Sequence, residues 1–185
     1  MNRFTKRLFT LLVCLTTALA ACEDSYSEYS KKYVVRFNYM VQTSQQLAVT
    51  LGNYGCFCTI RKKVVNGVTK ILMTSIKNSD AYTITESQKY FEYGLGGLIV
   101  GTSYEGEHVA YDLACPNCDR NNYLLSVADN GYATCNHCGL TYNLNAHGII
   151  AYKSDSEKGN ATKSDMRGLY RYRIQFNGTI VSVYN

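Results

Sequence analysis

The alternation of apolar and polar positions along the chain predicts mainly β-strands. In "YVVRFNY", Val35, Phe37 and Tyr39 alternate with more polar positions, which is the pattern of a strand that buries one face. "LYRYRIQF" near the C-terminus alternates in the same way, and it places Arg171 and Arg173 on the polar face. Both segments are therefore predicted to be half-buried strands.

Asn-Gly pairs predict where the strands turn, because a type I′ hairpin needs positive φ at both central positions. Hairpin turns are predicted at Asn66-Gly67, Asn130-Gly131 and Asn177-Gly178, with a fourth at Glu105-Gly106-Glu107. The only helix predicted is a short one near Thr85 to Tyr93. Seventeen tyrosines and no tryptophan suit aromatic pairing across strands. The expected fold class is all-β, a β-sandwich or small barrel.

The first 22 residues have the pattern of an export signal. Three basic residues precede the apolar stretch "LFTLLVCLTTALAA", which is too short to span a bilayer comfortably. It ends in "LAAC", Leu19 to Cys22, which resembles the lipobox of bacterial lipoproteins. Residues 1–21 are predicted to be a removed signal peptide that contains Cys14, and Cys22 is predicted to be lipidated. Ordinary cleavage after Ala21, which would leave Cys22 free, is the alternative.

Charge and composition then describe the mature chain. The formal charge of +5 falls to about +2 once the three basic residues of the leader are removed, and only the short "RKK" run is strongly basic. Composition therefore gives no support for a nucleic-acid partner. Residues 22–32 are predicted to be the lipidated cysteine and a polar tether, and residues 33–185 a single β-domain. The polar run Lys153 to Asp165 is predicted to be a surface loop.

Four cysteines form the strongest chemical signal in the chain. Cys115, Cys118, Cys135 and Cys138 have the spacing C-x2-C-x16-C-x2-C, which lies in the zinc-ribbon range. The hairpin that turns at Asn130-Gly131 joins the two pairs and would fold them together. Four thiolates can then surround one zinc ion as a tetrahedron. A metal-binding subdomain of about residues 113–148 is predicted.

The surroundings of these cysteines resemble the Rieske domain, a β-fold that holds a two-iron, two-sulfur cluster. The family pattern is C-x-H, about sixteen residues, then C-x-x-H-G, followed by an aromatic residue and a later glycine. Cys115, Cys135, Gly139 and Gly148 match this pattern, and Tyr142 falls at or next to the aromatic position. The resemblance covers residues 96–185 and implies a Rieske-like β-domain.

This chain departs from the family pattern at both histidine positions. Asn117 and Cys138 stand where the family has its histidine ligands, and Cys118 follows the first of them. Histidine ligation defines a Rieske centre and raises its potential. The ligand set expected here is therefore all-thiolate, and His137 is predicted to lie beside the site rather than in it.

Three occupants of the site remain open from sequence, and zinc is the favoured one. A structural zinc ion needs only the four thiolates, and a 2Fe-2S cluster with four cysteines is chemically possible. A cluster would have to be inserted before export, yet "MNRFTKR" has no paired arginines that would direct a folded protein across the membrane. Two disulfides are the third possibility, because an exported protein enters an oxidising compartment.

Function follows from these assignments. No catalytic constellation is recognisable, so the chain is predicted to be a binding or accessory module rather than an enzyme. It would act in the cell envelope of a Gram-negative-type bacterium, anchored to the membrane, with another envelope protein as a candidate partner. Electron transfer through an iron–sulfur centre at the same cysteines is the alternative.

Cys56 and Cys58 in "GCFC" are predicted to be buried on one face of a strand, with a disulfide as the alternative.

Overall fold

A computed structural model of the chain describes residues 28–75, 81–85, 91–153 and 167–185. Its strands are β1 Val35–Met40, β2 Cys56–Val65, β3 Val68–Ser75, β4 Ala81–Thr85, β5 Glu92–Tyr93, β6 Leu98–Thr102, β7 His108–Asp112, β8 Leu125–Val127, β9 Tyr132–Cys135, β10 Leu140–Asn143, β11 Ile149–Lys153, β12 Arg171–Phe176 and β13 Ile180–Tyr184. A 3-10 turn, Val41–Thr43, and helix α1, Gln45–Gly52, lie between β1 and β2.

The strands form two antiparallel sheets. The larger sheet has nine strands in the order β4-β3-β2-β6-β7-β12-β13-β1-β5, and the smaller has four in the order β11-β10-β9-β8. The predicted all-β class is therefore confirmed. The relation to the Rieske domain and the domain boundaries stay predictions.

The first hydrophobic core lies on one face of the large sheet. It joins residues from both flanks of that sheet, including Phe37 of β1 and Ile71 of β3, and it is covered by Leu47 and Leu51 of α1. Because distant strands meet in one cluster, the sheet curls around this core. The alternation predicted for β1 is confirmed, since Val35, Phe37 and Tyr39 are buried and their neighbours are exposed.

The second core fills the space between the two sheets. The large sheet contributes Phe57, Ile99, Val109 and Tyr111, and the small sheet contributes Leu125, Ala133, Leu140 and Tyr142. The central strands of the large sheet thus bury both faces. This explains why all five residues of β6, Leu98–Thr102, are buried. The four cysteines lie at the edge of this second core.

The four predicted hairpins are present, but their turns differ. Asn66 and Gly67 have φ of 52° and 75°, as a type I′ turn requires. At the other two Asn-Gly pairs only the glycine has positive φ. The Gly131 N–H donates to the Ala128 C=O at 3.1 Å, so the turn begins earlier and Gly131 takes the left-handed position after it. The predicted location was right, and the predicted turn type was wrong at these two sites.

Most of the helix predicted near Thr85 to Tyr93 falls on residues 86–90, which lie outside the described residues. Of its two ends, Thr85 closes strand β4 and Tyr93 belongs to β5, where it pairs with Val35 of β1. Helix α1, which was not predicted, begins after Ser44, whose side chain accepts a hydrogen bond from the Leu47 N–H at 3.3 Å. That N-cap was the signal available in the sequence.

Several predictions concern residues that the structure does not describe. The signal peptide with Cys14, the lipidation of Cys22 and most of the loop at 153–165 belong to this group. Among the described residues, no helix is long and apolar enough to cross a membrane.

Candidate metal centre

Two similar turns, called here the first and second knuckle, carry the four cysteines. The first, residues 115–119, follows β7 after a short connection, and the second, residues 135–139, joins β9 to β10. In the first, the N–H of Asp119 donates to the C=O of Cys115 at 2.9 Å, and Gly139 and Cys135 repeat this bond at 2.9 Å. Asp119 and Gly139 have φ of 52° and 71°. Each turn therefore directs two sulfurs to the same side.

The hairpin of β8 and β9 brings the knuckles together. Leu125 pairs with Cys135, while the N–H of Leu125 donates to the C=O of Leu113 at 2.9 Å. The sulfurs of Cys115, Cys118, Cys135 and Cys138 all lie within 4.8 Å of one another. The predicted four-cysteine cluster is thus present, and it can hold a metal ion.

The sulfur separations fit a mononuclear centre. Cys115 Sγ and Cys138 Sγ are 3.6 Å apart, and Cys118 Sγ and Cys135 Sγ are 3.7 Å apart. A tetrahedron with metal–sulfur bonds of about 2.3 Å has edges of about 3.8 Å. The close approaches run between the two knuckles, so an ion bound here would tie one knuckle to the other.

Three of the four cysteines are buried. Cys115, Cys135 and Cys138 pack in the second core, and Cys118 is half-buried at the protein surface. The hydroxyl of Tyr142 on β10 lies 3.4 Å from Cys115 Sγ. Tyr142 is the aromatic residue that the Rieske resemblance singles out, and here it contacts a predicted ligand.

The thiols cannot all ionise without a cation. Interaction with the Cys115 thiol lowers the pKa of Cys135. The same interaction, together with burial, raises the pKa of Cys115, and burial raises the pKa of Cys118 to about 12. Without a cation, a thiolate on one sulfur therefore opposes ionisation of the neighbouring thiols. A divalent ion reverses this by favouring thiolate at each ligand, so binding releases protons.

Backbone amides and one histidine surround the sulfurs. The Cys118 amide favours thiolate at Cys115 and so lowers its pKa, and the amides of His137 and Cys138 do the same to the pKa of Cys135. His137 is exposed, stacks on Tyr123 at 3.8 Å between ring centroids, and has Nδ1 3.4 Å from Cys118 Sγ. It lies outside the sulfur cluster and contacts one member of it.

Asp119 links the first knuckle to the N-terminal segment of the domain. Its carboxylate accepts hydrogen bonds from the hydroxyls of Tyr33 and Tyr170, each at 2.8 Å, and forms an ion pair with Lys32. Sequence reasoning missed this residue. The signal available in the sequence was its position directly after Cys118, which matches the position of Gly139 in the second knuckle. A residue there needs a left-handed backbone, which aspartate tolerates better than most residues.

Asp112 supports the first knuckle from inside the protein. It is fully buried, and its Oδ2 accepts from the Leu95 N–H at 2.6 Å and the Tyr172 hydroxyl at 2.7 Å. Its Oδ1 accepts from the N–H groups of Gly96 at 3.0 Å and Ala114 at 2.8 Å. Burial raises the pKa of this carboxyl, and the four donors oppose that effect. Asp112 fixes the residue next to Cys115.

The burial of Arg171 differs from the pattern predicted for the C-terminal strands. Alternation places it on the polar face, but the residue is only 4% exposed. Its guanidinium donates to the carboxylates of Glu28 and Glu107, and its C=O accepts from the Ser30 N–H at 2.7 Å. Residues 28–30, the described end of the predicted tether, therefore cover this arginine. The alternation of polar and apolar residues within a strand gives no information about a separate segment that packs over its polar face.

The remaining candidate residues lie away from the cluster. Cys56 and Cys58 are both buried and unbridged, as predicted, and burial raises the pKa of Cys58 to about 12. His108 Nδ1 is 3.0 Å from the Thr102 hydroxyl, and His147 Nδ1 is 3.8 Å from Glu107. Neither histidine adds a ligand to the cysteines.

The four-cysteine centre has to be interpreted from this chain's own residues. Comparisons of the chain with known protein families, with curated proteins and with solved structures gave no match. The assignment of a metal and of a role therefore depends on the sulfur geometry, on the burial of the site and on the segments that it connects.

Proposed function

We propose that the chain is a lipid-anchored protein of the cell envelope in which Cys115, Cys118, Cys135 and Cys138 bind one structural zinc ion. The observation that carries the metal assignment is the sulfur spacing of 3.6 and 3.7 Å between the knuckles. Zinc accepts tetrahedral thiolate ligation without a preferred d-electron geometry and without redox chemistry. The donor set therefore suits zinc in a compartment where redox-active thiols would be oxidised.

A structural role is favoured over a catalytic one. Catalytic zinc sites keep one coordination position for water or substrate, whereas structural sites are closed by four protein ligands. Here four sulfurs are available, and three of them are buried. The ion would join the β7–β8 connection to the β9–β10 turn, which lack a covalent link. We infer that the domain works as a binding or accessory module.

Electron transfer at the same cysteines is the second candidate. Backbone amides favour thiolate at Cys115 and Cys135, and amides near the sulfurs are a feature that tunes the potential of iron–sulfur centres. However, two bridged irons place their two thiolate pairs at opposite ends of an elongated centre. Four sulfurs mutually within 4.8 Å suit one ion better than two.

Visible absorption separates the two candidates. The zinc assignment predicts a colourless protein, because zinc has a filled d shell. Protein purified from the membrane fraction of its native cells should show no band between 350 and 600 nm, roughly the range of sulfur-to-iron charge transfer in such centres. Bands in that range, together with iron in the same sample, would favour the electron carrier. The apo protein after chelation provides the spectroscopic control.

The envelope assignment comes from the leader and from the tether. "LAAC" matches the lipobox, and residues 28–30 lie against Arg171 on the domain. Lipidation of Cys22 would then hold the domain close to the membrane surface. The relation to the Rieske domain remains a proposal based on Cys115, Cys135, Gly139, Tyr142 and Gly148.

Anchoring is tested by Cys22→Ser. This change removes the thiol that would carry the diacylglyceryl group, so the protein should lose its lipid mass and leave the detergent phase in a phase-partition assay. The same partition for Cys22→Ser and the unchanged protein would contradict the anchor. Cys56→Ser, a cysteine substitution inside the domain, serves as the matched control and should keep the lipid.

A further inference from the structure

The β2–β3 hairpin carries a basic surface and an exposed apolar tip. The strand segments next to the hairpin turn carry three cations, Arg61, Lys63 and Lys70. Val64 and Val68 at the tip are 67% and 47% exposed. Residues 56–75 contain no acidic side chain. Within the described part of the chain, these three cations make no ion pair. The hairpin therefore combines net positive charge with exposed apolar side chains.

The strand register concentrates the charge instead of dispersing it. Lys63 and Lys70 are direct partners across the β2–β3 ladder, and like charges directly opposite one another destabilise a sheet. Arg61 lies two residues before Lys63, so its side chain projects from the same face. A dense cluster of like charges is stabilised when an anionic surface binds to it. This arrangement points to an anionic partner.

The hairpin projects from the same end of the fold as the tether. Ile60, Leu98 and Asp112 are neighbours across β2, β6 and β7, and the N–H of Asp112 donates to the C=O of Tyr170 at 2.9 Å. The next residue after Tyr170 binds Ser30 of the tether. These residues form one row across the sheet.

From that row, the hairpin extends outward by a length similar to that of the chain that joins the lipid anchor to the domain. β2 continues from Ile60 for five residues to Val65, a rise of about 17 Å. The chain between Cys22 and Glu28 can span at most about 20 Å. A lipid on Cys22 would thus hold the hairpin within reach of the same membrane.

We propose that the β2–β3 hairpin is a second membrane contact, which enters the interface tip first, with Val64 and Val68 on its two faces inserted there and Arg61, Lys63 and Lys70 behind them against anionic phospholipid headgroups. Apolar burial and headgroup attraction together determine the strength of such interfacial binding. This inference rests on the proposed lipid anchor at Cys22. The two contacts would fix the orientation of the domain, with the metal centre at the membrane-facing end.

The chain contains no tryptophan, so a single introduced tryptophan reports on its own surroundings. Val64→Trp is placed at the hairpin tip in the full chain, which is purified with its lipid and reconstituted in phospholipid vesicles. The vesicles contain phosphatidylcholine alone or phosphatidylcholine with phosphatidylglycerol. Tyr54→Trp is the matched control, because Tyr54 is 68% exposed and precedes β2 at the opposite end of the strand.

The expected result is a blue-shifted Val64→Trp emission that brominated lipid quenches in the anionic vesicles, with an unshifted Tyr54→Trp emission. High salt should remove the shift. The double variant with Lys63→Glu and Lys70→Glu should also remove the shift. It keeps two like charges opposite one another across the ladder, so the stability of the sheet should match that of the unchanged protein. Equal emission from the two reporters, or a shift that survives charge reversal, would overturn the proposal.

Intact mass distinguishes failure of the hairpin from failure of the anchor. Acylated protein with an unshifted Val64→Trp reporter would overturn the hairpin proposal and leave the anchor standing. Protein without the lipid mass would overturn the anchor. In that case the response of the reporter to added anionic vesicles still decides whether the hairpin binds lipid.

Discussion

Cys118→Ser should remove the bound metal and lower the melting temperature by roughly 10 °C or more, as metal binding at converging thiolates is coupled to folding. Cys118 is the half-buried member of the cluster, so serine at this position leaves no deeply buried hydroxyl. Loss of stability in this variant would therefore report loss of the ion rather than damage to the core. Metal content and thermal unfolding are measured on the same sample.

The control for this substitution is Cys56→Ser. Cys56 is a cysteine of the large sheet, is more buried than Cys118 and lies outside the four-sulfur cluster. Its substitution should leave the metal content unchanged. If Cys118→Ser retained both its metal and its melting temperature, the ligand set would be different, and Cys115 and Cys135 would need other partners.

Asp112→Ala is expected to have the second largest effect. The change removes one fully buried carboxylate and leaves the N–H groups of Leu95, Gly96 and Ala114 and the Tyr172 hydroxyl without an acceptor. Each unsatisfied buried donor costs about 1–3 kcal/mol, so the expected loss is on the order of 4 kcal/mol or more. Chemical denaturation measures the change in the free energy of unfolding.

Two further substitutions make this test specific. Asp112→Asn keeps an oxygen for the N–H groups of Gly96 and Ala114, so it should be less destabilising than alanine. Asp129→Ala, at an exposed turn of the same protein, should change the free energy of unfolding by less than about 1 kcal/mol. Equal effects of Asp112→Ala and Asp129→Ala would show that the buried carboxylate does not support the knuckle.

The parts of the fold that were predictable were those set by local chemistry. Alternation identified β1 because its neighbours bury one face and expose the other. Asn66-Gly67 gave a type I′ turn because both residues accept positive φ. The spacing of Cys115 to Cys138 predicted the cluster because a hairpin of that length returns the chain to its starting point.

The missed features depend on contacts between distant segments. Arg171 is buried because residues 28–30 pack over it, and alternation within a strand carries no information about that segment. Asp112 lies within an apolar stretch, and its four hydrogen-bond donors come from three separate parts of the chain. Thr85 and Tyr93 are strand residues because Lys70 and Val35 pair with them across the sheet.

The central claim is that four cysteines hold one zinc ion, and element-resolved metal analysis with a thiol count tests it most directly. Protein is taken from its native envelope, since affinity order alone does not select zinc during cytoplasmic overexpression. The account predicts one zinc per chain, no acid-labile sulfide, and four further thiols that titrate in denaturant once a chelator is added. Two irons with sulfide would contradict it in favour of a cluster. No metal and four missing thiols would contradict it in favour of disulfides, with Cys115–Cys138 and Cys118–Cys135 as the nearest pairs.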